Sequence, residues 1–176
     1  MLELLSEEQI LENYDLNQLI RYNTRTRITN ESVAAHTFFV SLFCLKLFEE
    51  LNISTEKRYE ILVKALLHDI GEVFTSDIPH TIKADNHVLR DIFDDLEKKY
   101  LEKNWSSYIP ILESTDQLSY EILKLADIYS ILQYTLTEER LGNKTIEMAE
   151  IYSNARKRAD IHIQRINELE EEKNEL

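Results

Sequence analysis

A chain of 176 residues, 43% hydrophobic and 30% charged, has the balance of one globular domain, taken to span 1–176, and excludes a disordered segment. Its net charge of -13, from 33 acidic against 20 basic residues, excludes a general duplex-binding surface, which needs a basic face. Only two Gly and two Pro, with no run of about 20 apolar residues, exclude hairpin-rich sheets and membrane spans and favour long helices.

The N-terminal MLELLSEEQILENY carries acids where a secretion signal carries a basic region, and Cys44 has no disulfide partner in the chain. Both features predict a cytoplasmic protein. Apolar spacing predicts a first helix over about Glu7–Ile20. RYNTRTRITNES follows as a polar loop that presents Arg21, Arg25 and Arg27. A second helix is predicted from about Ser32 to Leu51; its TFFVSLFCLKLF stretch is apolar nearly all round, as in a helix at the middle of a bundle. The third covers about Thr55–Ile70, and Gly71 then marks a break or a tight approach. FTSDIPHTIKAD reads as a loop around Pro79. Further helices are predicted over about Asn86–Lys103, Ile109–Glu113 and Ser119–Leu141, the last stopped by Gly142-Asn143. A final helix runs from about Thr145 to near the end. The expected fold is an all-α, single-domain helical bundle of about six or more helices.

Three features stand out against this background. His36 lies within SVAAHTFF, His68-Asp69 follow directly on an apolar stretch in ALLHDIGE, and Asp127 interrupts the apolar LKLADIYSIL. An Asp in such surroundings must be paired or liganded. A histidine like His36, taken alone, reads as a hydrogen-bonded core residue. Three such anomalies on separate helices, all with ligand chemistry, point instead to a divalent cation such as Mn, Co, Fe or Zn. His68 and Asp69 would diverge by about 100° in mid-helix, so a metal accepting both must face the end of that helix. Glu72, four residues after His68, shares its face if the helix persists that far. A carboxylate there can accept a proton from water near a metal; by itself it would read as a helix-end acid.

The order His…His-Asp…Asp resembles the HD-domain metal-dependent phosphohydrolase superfamily. The words RYNTRTRITNESVAAH, LLHDIGEVFTSDIPHTIK and KLADIYSIL are similar to three stretches of its bacterial 5′-deoxynucleotidase branch, from about Arg21 to Gly142. The resemblance implies the HD-domain fold and one divalent metal ion (Mn, Co, Zn, Fe or Mg) held by His36, His68, Asp69 and Asp127. It implies that Glu72 acts on the nucleophilic water, that Arg21 binds the phosphate, and that Tyr22 and Asp77 read the sugar. Tyr22 stands where the family usually carries Trp, and Ala35 where close relatives often carry an acid. The implied reaction is removal of the 5′-phosphate from deoxyribonucleoside monophosphates, with broad tolerance of the base.

Two rivals use the same residues differently. A deoxynucleoside triphosphate triphosphohydrolase would need more basic groups at the metal, for which the chain offers Arg25, Arg27 and Lys83. A catalytically silent nucleotide-sensing helical module would not require all four ligands and Glu72. An alarmone hydrolase fits less well, because those enzymes carry a further acid where this chain has Val73. The expected partners are a deoxynucleotide substrate and a second copy in a homodimer, for which Ile146, Ala149, Ile151, Ile161, Ile163 and Ile166 are packing candidates; duplex nucleic acid and membrane are not expected.

Overall fold

A computed structural model of the chain describes residues 6, 7, 11, 14–78 and 86–174, with side chains through 172. Helices α1 (Val33–Glu50), α2 (Thr55–Leu67), α3 (Glu72–Thr75), α4 (His87–Asn104), α5 (Ile109–Leu112), α6 (Gln117–Arg140) and α7 (Ile146–Asn174) follow in order, with a 3-10 turn at Ser106–Tyr108 before α5. Polar side chains begin four of them. Ser32, Ser54, Asn86 and Asp116 each accept from a backbone N–H three residues on, satisfying donors that a first helical turn leaves free. Gly142, at φ 102°, ends α6 in the left-handed conformation, where a side chain would be strained.

The helix at the middle is α6, which packs against α7, α1 and α2. Sequence reading gave that place to α1 because TFFVSLFCLKLF is apolar all round. The structure corrects it: Val40, Cys44 and Phe48 are buried, while Phe38, Leu42 and Leu45 are exposed. One core cluster joins these buried α1 residues to Ile61 and Ala65 of α2, Ile122, Leu125 and Ile128 of α6, and Ala155, Ala159 and Ile166 of α7. Of the packing candidates on α7, Ile166 thus faces the chain's own core, whereas Ile146 and Ile161 are exposed. His162 is structural: its Nδ1 stands 2.5 Å from Oε2 of the fully buried Glu121 across the α6–α7 seam. A second cluster, with Leu16, Val33, Val63, Leu67 and Ile70, lies beneath the turn that follows α2.

Two predicted boundaries shift. In the expected first helix, Tyr14 and Asp15 are helical, but a turn starts at Leu16 and Ile20 forms an isolated antiparallel bridge with Ser32. Glu7 and Leu11 are helical too, whereas residues 8–10, 12 and 13 of that helix, and Pro79, His80 and Lys83 of the 74–85 loop, lie outside the described residues. The third helix stops at Leu67, earlier than expected. Residues 68–71 form a tighter turn in which Ile70 N–H meets the Leu67 carbonyl at 3.3 Å and Glu72 N–H the Asp69 carbonyl at 3.1 Å. His68 and Glu72 therefore do not share one α-helical face, since a turn separates the two helices that they flank.

Gly71 does mark a close approach, but by α4. A Cβ at Gly71 would stand 2.7 Å from Glu97 Cβ, an atom fixed to its own backbone. Gly71→Ala should cost about 1–3 kcal/mol by overpacking and lower Tm by several degrees in a thermal melt; an unchanged Tm would mean α4 moves aside freely.

Candidate metal centre and active site

Three elements meet at one point: α1 brings His36, the turn after α2 brings His68 and Asp69, and α6 brings Asp127. His36 Nε2 lies 3.3 Å from Asp127 Oδ1 and 3.5 Å from Asp69 Oδ2. His68 Nε2 lies 3.2 Å from Asp69 Oδ2 and 3.4 Å from His36 Nε2. Atoms that share one cation at about 2.0–2.2 Å stand about 3–3.5 Å from each other, a spacing that His36, His68 and Asp69 meet as a mutually close group able to hold a divalent ion, while Asp127 approaches that group through His36. The far nitrogens are tied back. His68 Nδ1–H donates to the Ala65 carbonyl at 2.7 Å, and His36 Nδ1 faces Ser130 Oγ at 2.9 Å. A proton on each Nδ1 leaves each Nε2 lone pair directed at the cluster, the usual support for ligating imidazoles.

The electrostatics of the bare site also favour a cation. Burial lowers the pKa of His36 to about 4, with Arg21 contributing, so this ring is neutral at pH 7. Burial would lower His68 too, but Asp69 and Asp127 outweigh it and carry its pKa up to about 9. Burial opposes charge on Asp69, yet His68 and His36 hold it well below the usual carboxylate range. Asp127 shows the same balance, with His36 the principal counterweight. A proton on His68 thus occupies the place in the charge balance that a metal would take.

Arg21, Tyr22, Glu72 and Asp77 belong to the same neighbourhood. Burial works against charge on Arg21, but Tyr22, Asp69, Glu31 and Asp127 around it keep its pKa above the usual value. Glu72 is pushed up to about 9, by burial first and then by Asp69 and Asp77. Burial also raises the Tyr22 phenol, which Arg21 partly offsets. Arg21 Nη1 and Glu72 Oε2 are both buried and have no hydrogen-bond partner among the described residues. Buried polar atoms are seldom left so, and a guanidinium and a carboxyl group beside a cation-binding set suit a phosphate and a water.

Arg21 and Tyr22 open a loop closed at its base, where Arg21 N–H donates to the Glu31 carbonyl at 2.8 Å and Val33 N–H to the Leu19 carbonyl at 2.9 Å. The Tyr22 ring lies parallel to that of Tyr134, with centroids 4.6 Å apart and planes within 3°. Arg25 pairs with Glu147, and Arg27 donates to the Tyr22 carbonyl and to Asn30, so both brace the loop. Glu113 pairs at the surface with Lys98.

Sequence reading missed Glu31, Ser130, Tyr134 and Glu138. Glu31 is buried 3.7 Å from Arg21, and burial lifts its pKa to about 7. Ser130 and Tyr134 follow Asp127 by one and two helical turns, a spacing that could have revealed them. Glu31 and Glu138 gave no such signal, because their burial depends on distant chain folding over them.

The family model for YfbR-like 5′-deoxynucleotidases matches residues 12–173. A conserved hypothetical protein from Pyrococcus furiosus is similar with a TM-score of 0.75 and 23% identity, over 97% of this chain and 100% of its own. An HD-domain phosphohydrolase from Listeria innocua gives 0.65 at 24% identity, over 84% of this chain and 76% of its own. A cyanophage S-2L HD phosphohydrolase bound to dA and one catalytic Zn2+ ion gives 0.69 at 12% identity, over 97% of this chain and 99% of its own. Comparison with curated proteins found no match. At these identities the solved structures bear on the fold alone, and that fold is the all-helical HD type.

Proposed function

Because the chain belongs to the YfbR-like 5′-deoxynucleotidase family, we propose that it releases the 5′-phosphate of deoxyribonucleoside monophosphates at the centre formed by His36, His68, Asp69 and Asp127. The observation that most supports this assignment of residues is the mutual 3.2–3.5 Å spacing of His36, His68 and Asp69, with Asp127 3.3 Å from His36. They would hold one divalent ion, Mn, Co, Zn, Fe or Mg; when bound, it supplies Lewis-acid charge for the phosphoryl group and acidifies nearby water. The cyanophage relative's Zn2+ and dA fit this picture without fixing the metal here.

Arg21 binds the phosphate oxygens, for which its planar fork and permanent charge are suited. Glu72 orients the attacking water and takes its proton through Oε2. Burial is the largest cause of the raised Glu72 pKa, and a cation that neutralised Asp69 would remove the next, favouring the carboxylate that acts as base. Water then attacks phosphorus as the bond to the 5′ oxygen breaks, and the nucleoside leaves. Orientation and charge neutralisation carry most of such a reaction. Tyr22 and Asp77 read the sugar. A cleft of about 590 Å³ opens beside His68, with Leu67, Leu101, Leu112, Tyr120 and Leu123 in its walls; Arg21, Tyr22, Glu72 and Asp77 do not line it.

Arg25 and Arg27 are committed to Glu147, Tyr22 and Asn30, which disfavours the triphosphohydrolase rival. The full chain should liberate free phosphate from dAMP with Mn, Co or Mg, and act on it faster than on AMP. Triphosphate released from dATP in place of phosphate from dAMP would install that rival. Stoichiometric metal without turnover of any nucleotide would mark a sensing module.

A single domain over 1–176, a cytoplasmic setting and a homodimer remain part of this proposal; sedimentation of the full chain tests the last. Among the described residues no helix is long and apolar enough to cross a membrane.

A further inference from the structure

The far end of the 21–31 loop is fastened to α6 through one carboxylate. Glu138 is fully buried, at 0% exposure. Its Oε2 accepts from Ile28 N–H at 2.8 Å and from Asn143 Nδ2 at 2.8 Å. Its Oε1 accepts from Thr29 N–H at 2.7 Å and Thr29 Oγ1 at 2.6 Å. Asn143 Nδ2 also reaches the Thr26 carbonyl at 3.0 Å, and Tyr134 OH donates to the Thr29 carbonyl at 3.2 Å. Burial alone would raise the Glu138 pKa, but these donors bring it down to about 2, so the acceptor stays charged throughout the working range.

Asp127, Ser130, Tyr134 and Glu138 recur at three- and four-residue intervals, which places them along one face of α6. A single rigid element therefore carries a cation ligand, the support of His36, the ring stacked on Tyr22, and the anchor of the loop that holds Arg21. Tyr22 itself sits at φ 56°, in the left-handed region. A bulky residue adopts that conformation only where its surroundings hold it there.

We propose that Glu138 is a positioning residue for sugar selection: with Tyr134 and Asn143 it fixes the 21–31 loop relative to Asp127, so that Tyr22 meets the 2′ face of the nucleotide. The proposal rests on the deoxynucleotidase reading. A clamp that merely stabilised the protein would affect its melting but not its choice between sugars. A clamp that sets the loop's height affects that choice, because a misplacement of about 1 Å can cost about a hundredfold in rate.

The test compares the full chain with Glu138→Gln and Thr29→Val, each loaded with Mn2+ and assayed on dAMP and AMP. Gln keeps the size but turns an N–H2 toward backbone donors; Val keeps the shape of Thr29 and drops one bond. The dAMP/AMP ratio of kcat/KM should fall about tenfold for Glu138→Gln and about threefold for Thr29→Val, with KM for dAMP rising more than kcat falls. Mn2+ affinity without nucleotide, measured by calorimetry, should stay within about twofold in both. A wild-type ratio in both variants, whatever their Tm, overturns the proposal, and so does a wild-type ratio near one. If Glu138→Gln does not fold, Thr29→Val decides alone. Wild-type protein that releases no phosphate from dAMP sinks the deoxynucleotidase reading, and the proposal with it. Normal wild-type selectivity retained by the variants sinks the proposal only.

Discussion

Glu72→Gln should lose about a thousandfold in kcat on dAMP yet still bind one divalent ion, whereas Asp127→Ala should lose both turnover and tight binding. A positioned general base contributes about 10²–10⁴, and Gln keeps the volume while removing the proton acceptor. Oε2 of Glu72 has no hydrogen-bond partner among the described residues, so Gln there disturbs none of the contacts among the proposed ligands. Removing Asp127 takes away the partner 3.3 Å from His36 Nε2 and leaves a buried ring facing empty space. Calorimetry with Mn2+ beside phosphate release on dAMP separates the two effects. Loss of metal binding in Glu72→Gln would make Glu72 a ligand and leave the reaction without its base.

Metal affinity should climb about tenfold per pH unit between pH 7 and about 9 and then level off, because binding must displace one proton from His68. His36 adds nothing to the slope, since its pKa near 4 leaves it neutral throughout. Stability of the metal-free protein runs the other way. The folded pKa of His68 exceeds its ordinary 6.5, so the stability it contributes is complete below that value and fades as pH rises through about 9. Asp69 and Asp127, both depressed below 3.8, contribute stability that is present above that value and is lost on acidification. Mn2+ titrations in buffers from pH 6.5 to 9, with thermal melts of metal-free protein, read both trends. A flat affinity across the range would mean that His68 is already neutral at pH 7.

The proposed cation ligands stood out in the sequence because their chemistry is out of place there. Asp127 within LKLADIYSIL has no low-cost way to be buried without a partner, and periodicity put it on a helix remote from His36 and His68. Helix order was legible for the same reason, from apolar spacing and a few capping residues such as Ser32, Asp116 and Gly142. The end of α2 was not. Gly71 signalled a break, but residues 68–70 read locally as a continuing helix, and the tightened turn lies where Glu97 of α4 comes close to Gly71. Glu138 shows the limit more sharply. In LTEERLGN it reads as a solvated helix-end acid, and only the return of Ile28 and Thr29 onto it makes it a buried acceptor.

The shared face of α6 also dictates which kinds of sequence change the enzyme can absorb. Each residue added or removed between Asp127 and Glu138 rotates one relative to the other by about 100° and slides them by about 1.5 Å. Substitutions on the opposite side leave that phase untouched, but a one-residue indel swings the loop's anchorage out of line with the cation ligands. A one-residue insertion between Asp127 and Glu138 should therefore abolish turnover where one beyond Gly142 is tolerated.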